Sequence, residues 1–210
     1  MKIKNEDHEH QDETIEEEGS IIIPNSPESR LLGLYGSINE DKIANLIGLL
    51  YHLKQTGEEV LLSENEGESK ILYKPIEFLI STEGGSVAEM FSLYDVIRDI
   101  QKYCEISTFA VGKCMSAGIL LIAGGTKGKR KAGRNCRFMI HSISSGHYGQ
   151  LHSLQNNFQE VNALQESYIK ELCLLTNLTP KKLKNIFNKR IDFFFSAEEA
   201  LKFGIIDEIV

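Results

Sequence analysis

Alternation is what most limits how this chain can fold. Short apolar stretches suited to strands take turns with stretches whose apolar residues recur at helical spacing. Leu31 to Tyr35, Ile76 to Ile80, Ile106 to Val111 and Arg137 to His141 read as strands. Ile43, Leu46, Ile47, Leu50 and Leu53 mark one face of a first helix; Val87, Met90, Phe91, Tyr94, Ile97 and Ile100 mark a second. This order implies an α/β fold with a mostly parallel sheet. Ser116 to Ala123 is nearly all apolar and reads as a short buried helix. A long helix is expected from Leu151 onward, with Leu154, Phe158, Val161, Leu164, Tyr168 and Leu172 as its stripe. Asn39 or Asp41 can cap the first helix. Thr179 caps a later one opened by Pro180, and Ser196 caps a last helix with Glu199 at its N3 position. Phe193 to Phe195 and Ile205 to Val210 complete the strands. Ile21 to Ile23 reads as a short strand or a sticky segment stopped by Pro24 and Pro27. Val60-Leu61-Leu62 and Ile71-Leu72-Tyr73 flank a polar segment and suggest a small hairpin inserted on the surface.

Charge is distributed unevenly. The chain of 210 residues carries a formal net charge of −7, but Met1 to Gly19 holds eight acids against Lys2 and Lys4. Residues 1–20 therefore read as an acidic, mobile leader or propeptide, and 21–210 as one near-neutral folded domain. An apolar h-region is missing from the leader, so it does not resemble a secretory signal. No apolar run approaches the roughly 20 residues of a membrane span. Nor does a dominant basic cluster suggest nucleic-acid binding through phosphates; Lys127, Lys129, Arg130, Lys131 and Arg134 read as a solvated loop. Cysteines stand at 104, 114, 136 and 173 without a C-x-x-C pair or a histidine at ligand spacing. They read as reduced, packed thiols in a soluble, reducing, cytoplasmic-type compartment; an organelle stroma or matrix is the secondary reading, and the leader's acids disfavour a transit peptide. His8 and His10 in the leader carry little weight as metal ligands.

Two glycine-marked junctions, Thr82-Glu83-Gly84-Gly85-Ser86 and Gly112-Lys113-Cys114-Met115-Ser116-Ala117-Gly118, fall where strands give way to helices. Sites in α/β sheets form at such carboxyl ends. Neither junction matches the phosphate-binding G-x-x-x-x-G-K-[ST] pattern. Ser116, between strand and buried helix, resembles a nucleophile on an elbow; the competing reading is a plain N-cap serine. His141 closes an apolar strand where a glycine-bearing loop starts, and can serve Ser116 as general base. Asp192, before Phe193-Phe194-Phe195, and Asp207 in the last strand compete to orient that imidazole, and spacing does not choose between them.

Phe78-Leu-Ile-Ser-Thr-Glu-Gly-Gly-Ser-Val87, Gly112-Lys-Cys-Met-Ser-Ala-Gly118, Arg137-Phe-Met-Ile-His141 and Asp192-Phe-Phe-Phe-Ser-Ala-Glu-Glu-Ala200 with Gly204-Ile-Ile-Asp-Glu208 stand in one order. Together they resemble the Clp protease proteolytic subunit family, the ClpP-like serine peptidases, over about Leu31 to Val210. The resemblance implies a ClpP/crotonase-like fold, with Ser116 as nucleophile, His141 as general base and Asp192 as orienting acid. It assigns Asp207 to the C-terminal segment instead. Backbone N–H groups of Gly85 and Ala117 would form the oxyanion hole. The implied activity is hydrolysis of unfolded proteins through an acyl-enzyme, with no cofactor or metal in this subunit. The helix from about 151–175 would be the handle stacking two seven-membered rings, homomeric or mixed. An AAA+ ATPase would unfold and thread substrates, and the ATP would be its own.

Several positions depart from the family pattern. Glu83 stands where proline is usual before Gly-Gly, and Ser142-Ile143 replaces Gln-Pro after the histidine. Ala117 replaces methionine, and Ile191 replaces an arginine, with Arg190 next door. The 58–75 segment is long, and Glu77 and Leu79 stand where aromatic residues commonly line the ATPase pocket. Two alternatives belong beside the peptidase: a non-catalytic ring subunit, which predicts loss of a triad residue, and a crotonase-fold acyl-CoA enzyme, which has no need of the full triad. In a ring, acidic leaders would act as an electrostatic gate at the axial entrance, unless they are removed on maturation.

Overall fold

The computed structural model describes residues 20–23, 26, 28–62, 69–146 and 148–210. The acidic leader with His8 and His10, the stops at Pro24 and Pro27, and the polar centre of the hairpin lie outside them. The first half comprises β1 (Ile21–Ile22), β2 (Leu31–Tyr35), α1 (Glu40–Thr56), β3 (Glu58–Leu62), β4 (Ser69–Tyr73), β5 (Ile76–Thr82) and α2 (Val87–Ile100). Then come β6 (Ile106–Met115), α3 (Gly118–Ala123), β7 (Arg130–Ala132), β8 (Arg137–Ile140) and α4 (Leu151–Leu175). The chain closes with α5 (Pro180–Asn188), β9 (Phe193–Phe195), α6 (Ala197–Lys202) and β10 (Glu208–Ile209).

One sheet runs β1-β2-β5-β6-β7-β10, with every pairing parallel except β1 on β2. Alternate residues of β5 (Ile76, Phe78, Ile80) are buried, and α1 presents Ile43, Leu46, Leu50 and Leu53 to the core. Asn39 caps α1 by accepting from the Lys42 N–H, Thr179 caps α5, and Ser196 forms a capping box with Glu199. The predicted hairpin is present as the antiparallel pair β3–β4, apart from the main sheet. The final strand is shorter than expected: Ile205 and Ile206 are buried, but only Glu208 and Ile209 pair with β7.

The decisive element is β6. The strand expected to end at Val111, before Gly112, continues to Met115. Gly112 takes a left-handed φ of 66°, and the register against β5 shifts between Ile80 and Thr82, so β6 bends instead of stopping. It changes neighbours at the bend. Thr108 to Ala110 pair with β7, whereas Lys113 to Met115 pair with β8. The antiparallel strand β9 then adds to β8. This fork carries the end of β6 toward the end of β8 that His141 follows and the start of β9 that Asp192 precedes.

The basic stretch near 130 does not form a solvated loop. Arg130 lies in β7 with only 1% of its surface exposed, and its guanidinium grips Asp207 through two bonds of 2.5 and 2.8 Å. It also donates to the Leu175 carbonyl at the end of α4, at 3.0 Å. The Gly128 N–H donates to the same carboxylate at 2.7 Å. Burial by itself raises the Asp207 carboxyl, but the bonds from Arg130 and Gly128 outweigh it and hold the group below the usual carboxylate value. A carboxyl lowered in the folded state adds stability above its unfolded pKa, about 3.9, and that stability is lost as pH falls through the folded value. Asp207→Asn should therefore cost about 3–5 kcal/mol at neutral pH by stranding a buried guanidinium. Denaturant unfolding of the two proteins should show the gap narrowing below about pH 4.

Candidate active site

Ser116 sits on the turn between β6 and α3, in a left-handed conformation (φ 53°). A non-glycine residue there costs about 1–2 kcal/mol, so neighbouring contacts must hold it. Its N–H donates to the Met139 carbonyl of β8 at 2.8 Å, and its carbonyl accepts from the Ile119 N–H at 3.1 Å. The helix expected from Ser116 starts at Gly118, with Ala117 as a cap that makes no side-chain bond. Ser116 is thus not an N-cap, and its hydroxyl is turned elsewhere. Nε2 of His141, just beyond β8, stands 2.7 Å from Ser116 Oγ. This pair follows directly from the β6–β8 register, which sets Met115 beside Met139.

Asp192 approaches the other ring nitrogen. Its Oδ1 lies 3.7 Å from His141 Nδ1, beyond hydrogen-bonding reach, and its side chain is 55% exposed. Arg190, two residues earlier, also has a left-handed φ of 53°. Among the described residues, Ser116 and Arg190 are the non-glycine positions with positive φ, and they flank the two ends of this constellation. Of the competing aspartates, Asp207 is committed to Arg130, whereas Asp192 faces the imidazole.

The Gly84-Gly85 turn lies against the elbow. A Cβ on Gly84 would come 2.6 Å from Ser116 Cβ, and one on Gly85 would strike the Ile38 backbone, 2.7 Å from its nitrogen. Their φ values of 108° and 146° add a conformational demand that favours glycine. The N–H groups of this turn can be accounted for one by one. That of Gly84 donates to Thr82 Oγ1 at 2.9 Å, and that of Ser86 to the Ile38 carbonyl at 2.9 Å. The Gly85 and Ala117 N–H groups donate to no acceptor among the described residues. Glu83, in place of the usual proline, pairs with Lys113 at 2.8 Å and bridges the two glycine junctions. Gly85, Ala117, Ser116 and His141 border a cavity of about 50 Å³, with Val87, Met90, Ile143 and Tyr168 as its apolar lining.

In the sequence Tyr168 is one member of the apolar stripe of α4. Its hydroxyl donates to the Ser116 carbonyl at 2.9 Å. The available signal was a tyrosine among aliphatic residues, since a buried phenol needs a partner. The four cysteines are free thiols, and those at 104, 114 and 136 are buried. Burial pushes the Cys136 thiol up to about 12, so it has little thiolate character. No cluster of ligating side chains able to hold a metal occurs among the described residues. No helix there is long and apolar enough to cross a membrane.

A family model described as Clp protease matches residues 26–210. Among known proteins, the chain is 35% identical over 137 residues to an ATP-dependent Clp protease proteolytic subunit 2 of Chlamydia pneumoniae. It is 34% identical over 137 residues to the like-named subunit of Chlamydia trachomatis serovar D. Each match covers 65% of this chain and 66% of the relative, just under two thirds of the latter's length. With most of the chain matched by one family model, and the fold mixed α/β around a mostly parallel sheet, the chain belongs to the Clp protease family.

Proposed function

We propose that residues 21–210 form a serine endopeptidase domain, in which Ser116 is the nucleophile, His141 the general base and Asp192 the orienting acid. The observation that carries this is the 2.7 Å contact between Ser116 Oγ and His141 Nε2 on a strained turn. As Oγ attacks the scissile carbonyl, its proton passes to Nε2. The resulting oxyanion is met by the Gly85 and Ala117 N–H groups, each worth roughly 2.7–4 kcal/mol in the transition state. Collapse of the adduct breaks the peptide bond, and His141 returns the proton to the departing amine. Water then repeats the cycle on the acyl-enzyme. Asp192 completes the set once it closes the 3.7 Å gap to Nδ1; such contacts are commonly long before substrate binds.

The same reading makes the chain the proteolytic subunit of an ATP-dependent Clp protease that degrades unfolded proteins. The relatives' names support this. Leu151, Leu154 and Phe158 stand exposed on the first half of α4, which suits a handle buried between two stacked heptameric rings. An AAA+ ATPase is the implied partner. Leu31, Leu79, Phe109 and Val210 border a groove of about 230 Å³ that also holds Glu77 and Lys131, so its lining is partly charged.

A fluorophosphonate probe with peptide mapping tests the assignment. Ser116 should be labelled, and Ser116→Ala should abolish both labelling and peptidase activity. An assembled particle that resists the probe would instead be a structural ring subunit. Gly85→Ala keeps the N–H but should reduce activity by about two orders of magnitude, because the added Cβ displaces the turn and takes that donor out of line with the oxyanion. It should also destabilise the fold by about 1–3 kcal/mol in thermal unfolding, because the turn cannot accept a Cβ without moving Ile38.

A further inference from the structure

The bond from Tyr168 to Ser116 has a direction that matters for the reaction. The Ser116 carbonyl and the Ala117 N–H are opposite edges of one planar peptide, so they point in opposite directions. Whatever holds the oxygen also aims the N–H. The carbonyl already accepts from Ile119 within its own turn, so the second bond from Tyr168 is not required to satisfy it. Among the described residues, Tyr168 is the one group from outside the elbow that grips this peptide. The tyrosine itself is held firmly. It is 4% exposed on α4, and its ring stacks on Phe187 of α5 with centroids 6.5 Å apart.

We propose that Tyr168 is a positioning residue for the peptidase reaction, aiming the Ala117 N–H at the oxyanion by holding the Ser116 carbonyl. Two effects act together. The bond removes the rocking freedom of a peptide that follows a left-handed residue. It also draws electron density toward the oxygen, which makes the N–H on the same peptide a stronger donor. Burial raises the phenol well above its ordinary value, so the hydroxyl stays a donor at every working pH. This role rests on the serine peptidase reading and specifies how one of its two oxyanion donors is set.

The test compares the full-length protein with Tyr168→Phe, which keeps the ring on Phe187 and removes only the hydroxyl. Three quantities are measured: peptide turnover, the rate of fluorophosphonate labelling at Ser116, and inhibition by a peptidyl boronate against the carboxamide of the same peptide. The boronate forms a tetrahedral adduct whose oxygen needs the oxyanion donors; the carboxamide does not. Expected are about tenfold losses in kcat, labelling rate and boronate affinity, less than the hundredfold or more for a donor removed outright. KM and carboxamide affinity should stay within about twofold, as for an interaction made only in the transition state. Wild-type rates in Tyr168→Phe would overturn the proposal. So would equal losses for boronate and carboxamide, which would make Tyr168 a pocket wall, or loss of the assembled particle, which would make it a folding residue. An unlabelled wild-type protein overturns the peptidase reading and this inference together, whereas a labelled wild type with an indifferent variant overturns this one alone.

Discussion

Much of this structure depends on one strained peptide, the left-handed turn at Ser116. A side chain in that conformation is unfavourable in isolation, so it persists because contacts from several elements over-determine it. Strand β8 takes its N–H, α3 and α4 share its carbonyl, and the Gly84-Gly85 turn presses against its Cβ. The bend of β6 at Gly112 lets the strand leave β7 and join β8, so that the turn arrives beside His141. A straight, regular strand would keep β7 as its neighbour and leave serine and histidine apart.

Two aspartates show how environment divides roles among like groups. Asp207 is largely buried and its oxygens are taken by Arg130, Gly128 and the backbone of β7, which ties the end of the chain to the sheet and to α4. A carboxylate so engaged has little capacity left to orient anything else. Asp192 is half in solvent, beside an imidazole it does not yet bond. The first is a fastening and the second is available for chemistry. The long helix α4 serves both ends of this arrangement, since its C-terminal carbonyl at Leu175 anchors Arg130 while Tyr168 reaches Ser116.

Elements with strong local signals were legible from residues alone. The helix faces of α1 and α2, the caps at Asn39, Thr179 and Ser196, and the hairpin β3–β4 fall where periodicity and capping chemistry put them. Where local pattern and structure differ, the cause is a distant partner. Gly112 reads as the end of a strand because an isolated glycine usually interrupts pairing, yet here it permits a bend that a second partner strand stabilises. Arg130 sits in a run of lysines and reads as surface, because its acid lies 77 residues away. Tyr168 reads as one more member of an apolar stripe, because its acceptor is 52 residues distant.

By itself, then, the sequence determined the α/β class, the order of the elements, the two glycine junctions and the short set of residues from which a site can be built. Those properties are local: they follow from side-chain period, from the φ that glycine tolerates and from capping within one turn. Only the tertiary structure decided that Ser116 is a strained elbow and no cap, that Asp207 is committed to Arg130, and that Tyr168 holds the Ser116 carbonyl. Each of these is a contact between segments far apart in the chain. Which groups meet there is set by strand register and burial, and neither can be read from a residue's near neighbours.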